Sequence, residues 1–287
     1  MTKYRSALRS DLFDGQVVLI TGGGSGIGRC TAHELASLGA MVVLIGRNEE
    51  KLVRVCEELN EDGYGGDYIS LDIREGAAVG NAVSTVIERH GRIDGLLNNA
   101  GGQFPSDLKD ISDNGWNAVV ANNLTGGFYM MRETYRQWME KNGGVIVNMV
   151  ASVGYGFPKM GHSGAARAGM INLTQTAALE WAHSGVRVNA VAPGSIATSG
   201  MATYPEEFQK RLKERRHDVP LKRQGTESEI SATICFLLSR AASYITGQSV
   251  GIDGGLPLAK AFWPVPDHDR SKPFEAFHRS EIPEFLK

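Results

Sequence analysis

The stretch "VVLITGGGSGIG", residues 17–28, decides how this chain folds. Its first five residues form an apolar run rich in β-branched side chains, which suits a strand covered on both faces, as in a parallel sheet. The glycine run that follows leads straight into a helical pattern. Gly22, Gly26 and Gly28 let the backbone turn tightly and approach an anion at the helix N-terminus, where free N–H groups and the helix dipole favour negative charge. Glycine-rich turns also occur for tight packing alone. A strand before and a helix after is the context that a pyrophosphate-binding loop requires. Thr21, Ser25 and Ile27, interleaved with the glycines, are assigned to the same site.

Six more short runs recur outward from this one: "MVVLIG" (41–46), "DYISLD" (67–72), "DGLLNN" (94–99), "GVIVNMV" (144–150), "VRVNAVA" (186–192) and "SVGID" (249–253). Helical patterns with recognisable punctuation lie between them. Asn48 can cap a helix whose first turn carries Glu49 and Glu50, where the dipole favours acids. "TESE" (226–229) reads as a capping box. Strands alternating with helices predict parallel βαβ units. The fold class is therefore α/β, a single doubly wound parallel sheet with helices on both faces, over residues 1–256. Residues 257–287 are proline-rich, break the alternation and read as a C-terminal extension packed over the fold or across a subunit interface.

Bulk composition narrows the function classes. With 42% hydrophobic and 22% charged residues, the 287-residue chain can bury a sizeable core. A net charge of −2 gives no global attraction to nucleic acid or anionic lipid. Cys30, Cys56 and Cys235 lie far apart without metal-ligand spacing, and read as reduced packing residues. No metal is expected. The first sixteen residues carry charges throughout, unlike a secretory signal, and no apolar run approaches the roughly 18 residues of a membrane helix. A cytoplasmic protein is expected.

The second strand ends in "LIGRNEE" (44–50). A carboxylate at its tip would bind an adenine ribose 2′-hydroxyl and select NAD(H). Gly46 supplies none, and Arg47 can pair with a 2′-phosphate instead, so NADP(H) is favoured over NAD(H). Asp72 and Ile73, where the third strand ends, either border the adenine or only terminate that strand.

With "TGGGSGIG" and "NNAGG" (98–102) both in place, the chain resembles the short-chain dehydrogenases/reductases. "NLTGGF" (123–128), "RVNAVAPG" (187–194) and "ITGQSVGIDGG" (245–255) extend the resemblance over roughly residues 12–256. It implies a single Rossmann-type domain with a seven-stranded parallel sheet, usually assembled as a homotetramer. It also implies that Asn98 through Gly101, including Asn99 and Ala100, line the cofactor and steady the central strand. Asn123 matches the family's catalytic asparagine, which holds a helix kink and a water. Pro193, Gly194, Ile196 and Thr198 would border the nicotinamide.

"SGAARAG" (163–169) departs from the family pattern, which reads Tyr-x-x-x-Lys before Ala-Gly. Ser163 stands at the tyrosine position and Arg167 at the lysine position. Val150 and Ala151 stand where serines are usual, with Ser152 just beyond. A serine hydroxyl titrates far above tyrosine's pKa of about 10, and arginine stays protonated. Ordinary carbonyl reduction is therefore crippled. "HSGAARAG" (162–169) and "VPDHD" (265–269) are similar to the peroxisomal trans-2-enoyl-CoA reductases and, more loosely, to the 2,4-dienoyl-CoA reductases, where serine also replaces the tyrosine. That resemblance implies NADPH-dependent reduction of a carbon–carbon double bond conjugated to a thioester.

Ser163 is then a hydrogen-bond donor to the thioester oxygen or a small packing residue, and Arg167 a ribose ligand. Tyr155 and Ser152, in the loop after the fifth strand, are replacement proton donors or pocket walls. His162 should point away from Ser163, since helix neighbours diverge by about 100°. "YPEEFQKRLKERRHDVPLKRQG" (204–225) occupies the family's substrate-covering segment. Its basic residues suit a coenzyme A phosphate, or form a solvated helix with Phe208 and Leu212 inward. The expected partner is a small acyl-CoA-like substrate. Two rival readings stay open: an NAD(P)-dependent dehydrogenase of an apolar, terpenoid-like alcohol or carbonyl, and a catalytically inactive nucleotide-binding scaffold.

Overall fold

The seven apolar runs form one parallel sheet in the order β3–β2–β1–β4–β5–β6–β7. The strands are β1 (Val17–Thr21), β2 (Met41–Gly46), β3 (Gly66–Ser70), β4 (Gly95–Asn98), β5 (Gly144–Met149), β6 (Val186–Pro193) and β7 (Ser249–Ile252). The computed structural model describes residues 3–154, 156–260 and 262–286. Tyr155, one of the expected proton donors, lies outside the described residues.

Alternation of side chains along each strand feeds two apolar layers. Val18, Ile20, Val42 and Leu44 face one layer, where α1 (Gly26–Ser37), α2 (Glu49–Glu61) and α9 (Glu227–Leu238) contribute Leu35, Leu59 and Ile234. Val17, Leu19, Val43 and Ile45 face the other. There α3 (Gly76–His90), α5 (Gly126–Thr134) and α7 (Gly161–Glu180) contribute Val83, Met130 and Met170. Burial on both faces explains why these strands read as continuous apolar runs. The predicted caps form: the Asn48 side chain accepts from the Lys51 amide at 2.9 Å, and Thr226 with Glu229 makes a reciprocal capping box.

Strand order reverses between β1 and β4, so a crevice opens at the carboxyl ends of those strands. A π-helical turn, Ala121–Thr125, separates α4 (Asp113–Val120) from α5 and carries Asn123 into the interior beside that crevice.

The described part of the extension folds back on its own chain. The Ala276 and Phe277 amides donate to Ser228 Oγ, and Phe277 packs on buried His33 with ring centroids 5.1 Å apart. Arg279 donates to Asp62 at 2.9 Å, while Glu281 accepts from Arg29 and Arg54. Both ring nitrogens of His33 face carboxylates, Asp62 at 3.1 Å and Glu58 at 3.2 Å. Burial alone would raise Glu58, but bonds from His33 and Arg29 bring it down to about 2. Among the described residues, His33, Asp62 and His278 group three ligand-type side chains, and Arg279 already occupies Asp62. The network ties the extension to α1 and α2.

Candidate active site

The glycine loop is held open by its neighbours. Gly22 and Gly26 have φ of +68° and +55°, left-handed values that side chains rarely adopt. A carbon on Gly28 would lie 2.3 Å from the Gly22 oxygen. Thr21 Oγ1 accepts from the Asn99 and Ala100 amides at 3.0 and 2.9 Å. Asn99 Nδ2 donates to the Thr21 and Gly22 carbonyls at 3.0 and 3.2 Å. Thr21 and Asn99 therefore shape the loop from behind instead of lining the crevice. Asn98 ties β4 to Asn148 of β5 at 2.9 Å and to the Gly127 carbonyl at 3.1 Å.

The crevice itself is a cleft of about 430 Å³. Gly22, Ser25, Arg47, Asp72, Ile73, Ala100 and Gly101 of the expected set line it, together with Lys51 and Asn122. A glycine cradle, a helix N-terminus and two cations fit a phosphate-bearing dinucleotide. At the adenine end, Arg47 and Lys51 form no close ion pair among the described residues, although the charge of Arg47 reaches Asp72. Asp72 is engaged by Arg74, whose hydrogen bonds hold its carboxyl below the usual range. Among the described residues, no carboxylate lines the cleft at the tip of β2 other than Asp72. Sequence reasoning missed Lys51, although its place in the first turn opened by Asn48 was a usable signal.

Thr198 stands beside the loop, 3.9 Å from where a carbon on Gly26 would lie, and Glu227 Oε1 stands at the same distance. Pro193 ends β6, and the Gly194 amide donates to Ile252. The Ile196 side chain is buried against Gly225 and lines a separate cavity of about 140 Å³. That placement leaves the backbone of Ile196 for the expected contact with a nicotinamide. Glu227 is a buried carboxyl without a hydrogen bond among the described residues. Burial, opposed by Arg29 and aided by Glu281, pushes it up to about 7. A carboxyl raised in the folded state stabilises fully below its ordinary value of 4.5, and that contribution is lost as pH rises through about 7. Glu227→Gln should therefore be more stable than wild type by about 3 kcal/mol at pH 8 and equal to it near pH 4. Urea unfolding at both pH values tests this; an equal difference at the two would refute it.

At the other end of the cleft, side chains from four segments meet. Asn123 Oδ1 accepts from the Gly102 amide at 2.9 Å, and its Nδ2 donates to the Gly102 carbonyl at 2.9 Å and to Ser163 Oγ at 3.4 Å. Ser163, fully buried near the start of α7, donates to Gln103 Oε1 at 2.6 Å. Gln103 Nε2 donates to the Tyr204 hydroxyl at 3.0 Å. In the structure the Ser163 hydrogen goes to Gln103 Oε1, where the expected roles were donor to a thioester oxygen or small packing residue. Arg167 donates to the Met149 carbonyl at 2.6 Å and lies against Gly101, where a side-chain carbon would be 2.3 Å from its Nη2. Burial brings its guanidinium down to about 10, still cationic at neutral pH, and no carboxylate pairs with it among the described residues. His162 is buried, accepts from the Ser163 amide on Nδ1 at 2.8 Å and packs edge-on against Phe104 with ring centroids 4.5 Å apart, without a hydrogen bond to the Ser163 hydroxyl. Ser152 is half-buried and makes no hydrogen bond to Ser163, Asn123 or Arg167. Gln103 and Tyr204 were not foreseen as site residues.

A family model described as "Enoyl-(Acyl carrier protein) reductase" matches residues 22–257. The chain belongs to the short-chain dehydrogenase/reductase family. It is an NAD(P)-dependent oxidoreductase, and the loop, cleft and sheet order fit that activity. A probable 2,4-dienoyl-CoA reductase of Bacillus subtilis is 39% identical over 84% of this chain and 96% of the relative. A glucose 1-dehydrogenase of Gluconobacter oxydans is 40% identical over 86% of this chain and 94% of the relative. Among solved structures, a citronellol catabolism dehydrogenase of Pseudomonas aeruginosa superposes with a TM-score of 0.80 at 52% identity, covering 88% of this chain and 99% of that one. Family membership thus comes with relatives of several chemistries.

Proposed function

We propose that this short-chain dehydrogenase/reductase reduces the carbon–carbon double bond of a 2-enoyl-CoA or dienoyl-CoA thioester with NADPH. The observation that carries the reading is Ser163 and Arg167 in place of a phenol and a lysine on α7. Reduction of a bond conjugated to a thioester puts negative charge on the thioester oxygen. It needs hydrogen-bond donors there and a proton at the α-carbon, and no strong acid on an alcohol oxygen. Bound NADPH would supply the hydride. The cation of Arg167 is free to meet ribose hydroxyls, and the backbone of Ile196 with Thr198 to meet the carboxamide. Gly22, Gly26 and Gly28 leave the pyrophosphate its approach. Lys213 and Arg215 on the substrate-covering segment have no acidic partner among the described residues and suit coenzyme A phosphates. The dienoyl-CoA activity named for the Bacillus relative supports the same chemistry.

NADPH oxidation with enoyl-CoAs of several chain lengths tests the proposal; turnover of a ketone or alcohol alone overturns it. The 52% identical citronellol catabolism dehydrogenase of Pseudomonas favours a second reading, dehydrogenation of an apolar alcohol. Alcohol-dependent NADP⁺ reduction without enoyl-CoA turnover would select it. Tight cofactor binding without turnover of any of these substrates would select a non-catalytic scaffold.

Arg47 and Lys51 support NADPH over NADH. Arg47→Ala should weaken NADPH binding about 10- to 150-fold, the loss of one charge-assisted contact of about 1.5–3 kcal/mol, and leave NADH nearly unchanged. Fluorescence titration of both cofactors decides this; equal wild-type affinities would sink it.

The same reading makes the protein a cytoplasmic homotetramer. Three buried free thiols support a reducing compartment. No helix among the described residues is long and apolar enough to cross a membrane. Leu179, Phe262 and Trp263, 81%, 83% and 75% exposed, offer apolar area for copies of the chain to cover. A single 31.0 kDa species in sedimentation would refute the assembly.

A further inference from the structure

The hydrogen bonds around Ser163 run in a single direction from Asn123 to Tyr204. Gly102 presents both its amide and its carbonyl to Asn123, so Oδ1 must accept and Nδ2 must donate. Nδ2 therefore faces Ser163 Oγ, which accepts there and spends its own hydrogen on Gln103 Oε1. The Gln103 carboxamide is thereby oriented with Nε2 toward Tyr204, whose oxygen accepts at 3.0 Å. The last hydrogen of the chain, on Tyr204 Oη, has no acceptor among the described residues. Donor-to-acceptor chains of this kind polarise each member in the same direction.

The chain also runs to a telling place. A phenol on residue 163 would extend past the serine oxygen into the space that the Gln103 carboxamide fills. Beyond that carboxamide lies a phenol after all, supplied by the segment between β6 and α8 (Glu206–Glu214) instead of by α7. Tyr204 is half-buried, its ring packs on Phe208 with centroids 5.1 Å apart, and its carbonyl accepts from Gln209 at 2.7 Å. It is thus held in place within the substrate-covering segment.

We infer that Tyr204 is the proton donor of the reaction and that Gln103, aligned by Ser163 and Asn123, is its positioning residue. The inference rests on the reading of the protein as a double-bond reductase. In that reaction bound NADPH would supply the hydride for the β-carbon, and the electron pair of the double bond would be held on the thioester oxygen until it returns to the α-carbon as that carbon takes a proton. The O–H bond of Tyr204 then breaks and its proton forms the new C–H bond at the α-carbon. The phenolate left behind is met by the N–H of Gln103, a hydrogen bond that strengthens as its acceptor becomes charged. Water restores the proton, since the residue is partly exposed.

Tyr204→Phe keeps the ring and removes only the hydroxyl. It should lower kcat for an enoyl-CoA about 100-fold, at the lower end of what a general acid contributes. NADPH affinity and the KM for the enoyl-CoA should change less than about threefold. Gln103→Glu retains an acceptor for Ser163 but turns a second acceptor toward the phenol, which then donates inward. Its kcat should fall nearly as far at pH 8. Both variants are assayed beside wild type on one enoyl-CoA and on one ketone with its alcohol. If wild type reduces the enoyl-CoA and Tyr204→Phe does so within threefold, the assignment of Tyr204 fails while the double-bond reading stands. If wild type uses only the ketone or alcohol, the double-bond reading fails; the hydroxyl's role as acid or base survives only if Tyr204→Phe loses that activity too. No turnover of any substrate by wild type overturns both.

Discussion

A chain carrying Gly26→Val is expected to bind no measurable dinucleotide while keeping a native circular dichroism spectrum. Gly26 has φ +55°, where a β-branched side chain is strained by about 1–2 kcal/mol. That strain is small beside the stability of a typical domain. A carbon added there meets only Glu227 Oε1 and Thr198 Cβ, both at 3.9 Å, so the core is not disturbed. The valine methyls instead enter the space through which a pyrophosphate reaches the loop amides. Affinity should fall by about 100-fold or more, the equivalent of roughly 3 kcal/mol. Calorimetric titration with NADPH measures it, and wild-type affinity in the variant would mean that the glycine serves the turn alone. Gly28→Ala offers the contrast. Its methyl would lie 2.3 Å from the Gly22 oxygen, so that variant should lose the loop's structure along with binding.

Ser163→Ala should lower enoyl-CoA turnover about 100-fold with little change in NADPH affinity. The hydroxyl bridges Asn123 and Gln103 at 3.4 and 2.6 Å, and without it the carboxamide loses its alignment. Misplacement of a catalytic group by about 1 Å can cost this much. Arg167→Ala should act differently. It removes a cation beside Gly101 and the Met149 carbonyl, so the apparent NADPH KM should rise as turnover falls. Restoring the family pair, Ser163→Tyr with Arg167→Lys, should not rescue the enoyl-CoA activity, because a phenol there would meet the Gln103 carboxamide. Weak ketone reduction is the most it should gain. NADPH consumption by wild type, the two single variants and the double variant on one enoyl-CoA and one ketone separates these outcomes. Unchanged enoyl-CoA turnover in Ser163→Ala would show that the serine is only a packing residue.

Much of the fold is legible from local pattern. The strand at 17–21 and its neighbours at 41–46 read as buried because an apolar run with β-branched residues has few other homes. Asn48 and the "TESE" box can be assigned because a cap is a contact between residues three apart. Tyr155 is a reasonable candidate for the missing phenol by its position after the fifth strand. Sequence shows which segments border a site, but not which of their side chains share a hydrogen bond.

By itself the sequence determined the parallel sheet, the glycine loop, the absence of a carboxylate at Gly46 and the loss of the family's tyrosine. Each of these is a matter of residue type at a local position, where backbone geometry and a few neighbours settle the outcome. Only the tertiary structure decided that Ser163 is committed to Gln103, 60 residues away in the chain, and Gln103 to Tyr204, 101 residues further on. It also turned the Ile196 side chain inward, brought Lys51 to the cleft and buried Glu227 beside Gly26. Sheet order and the crossing of separate loops set those meetings. Hydrogen-bond direction depends on which groups meet, so it is fixed only once the chain has folded.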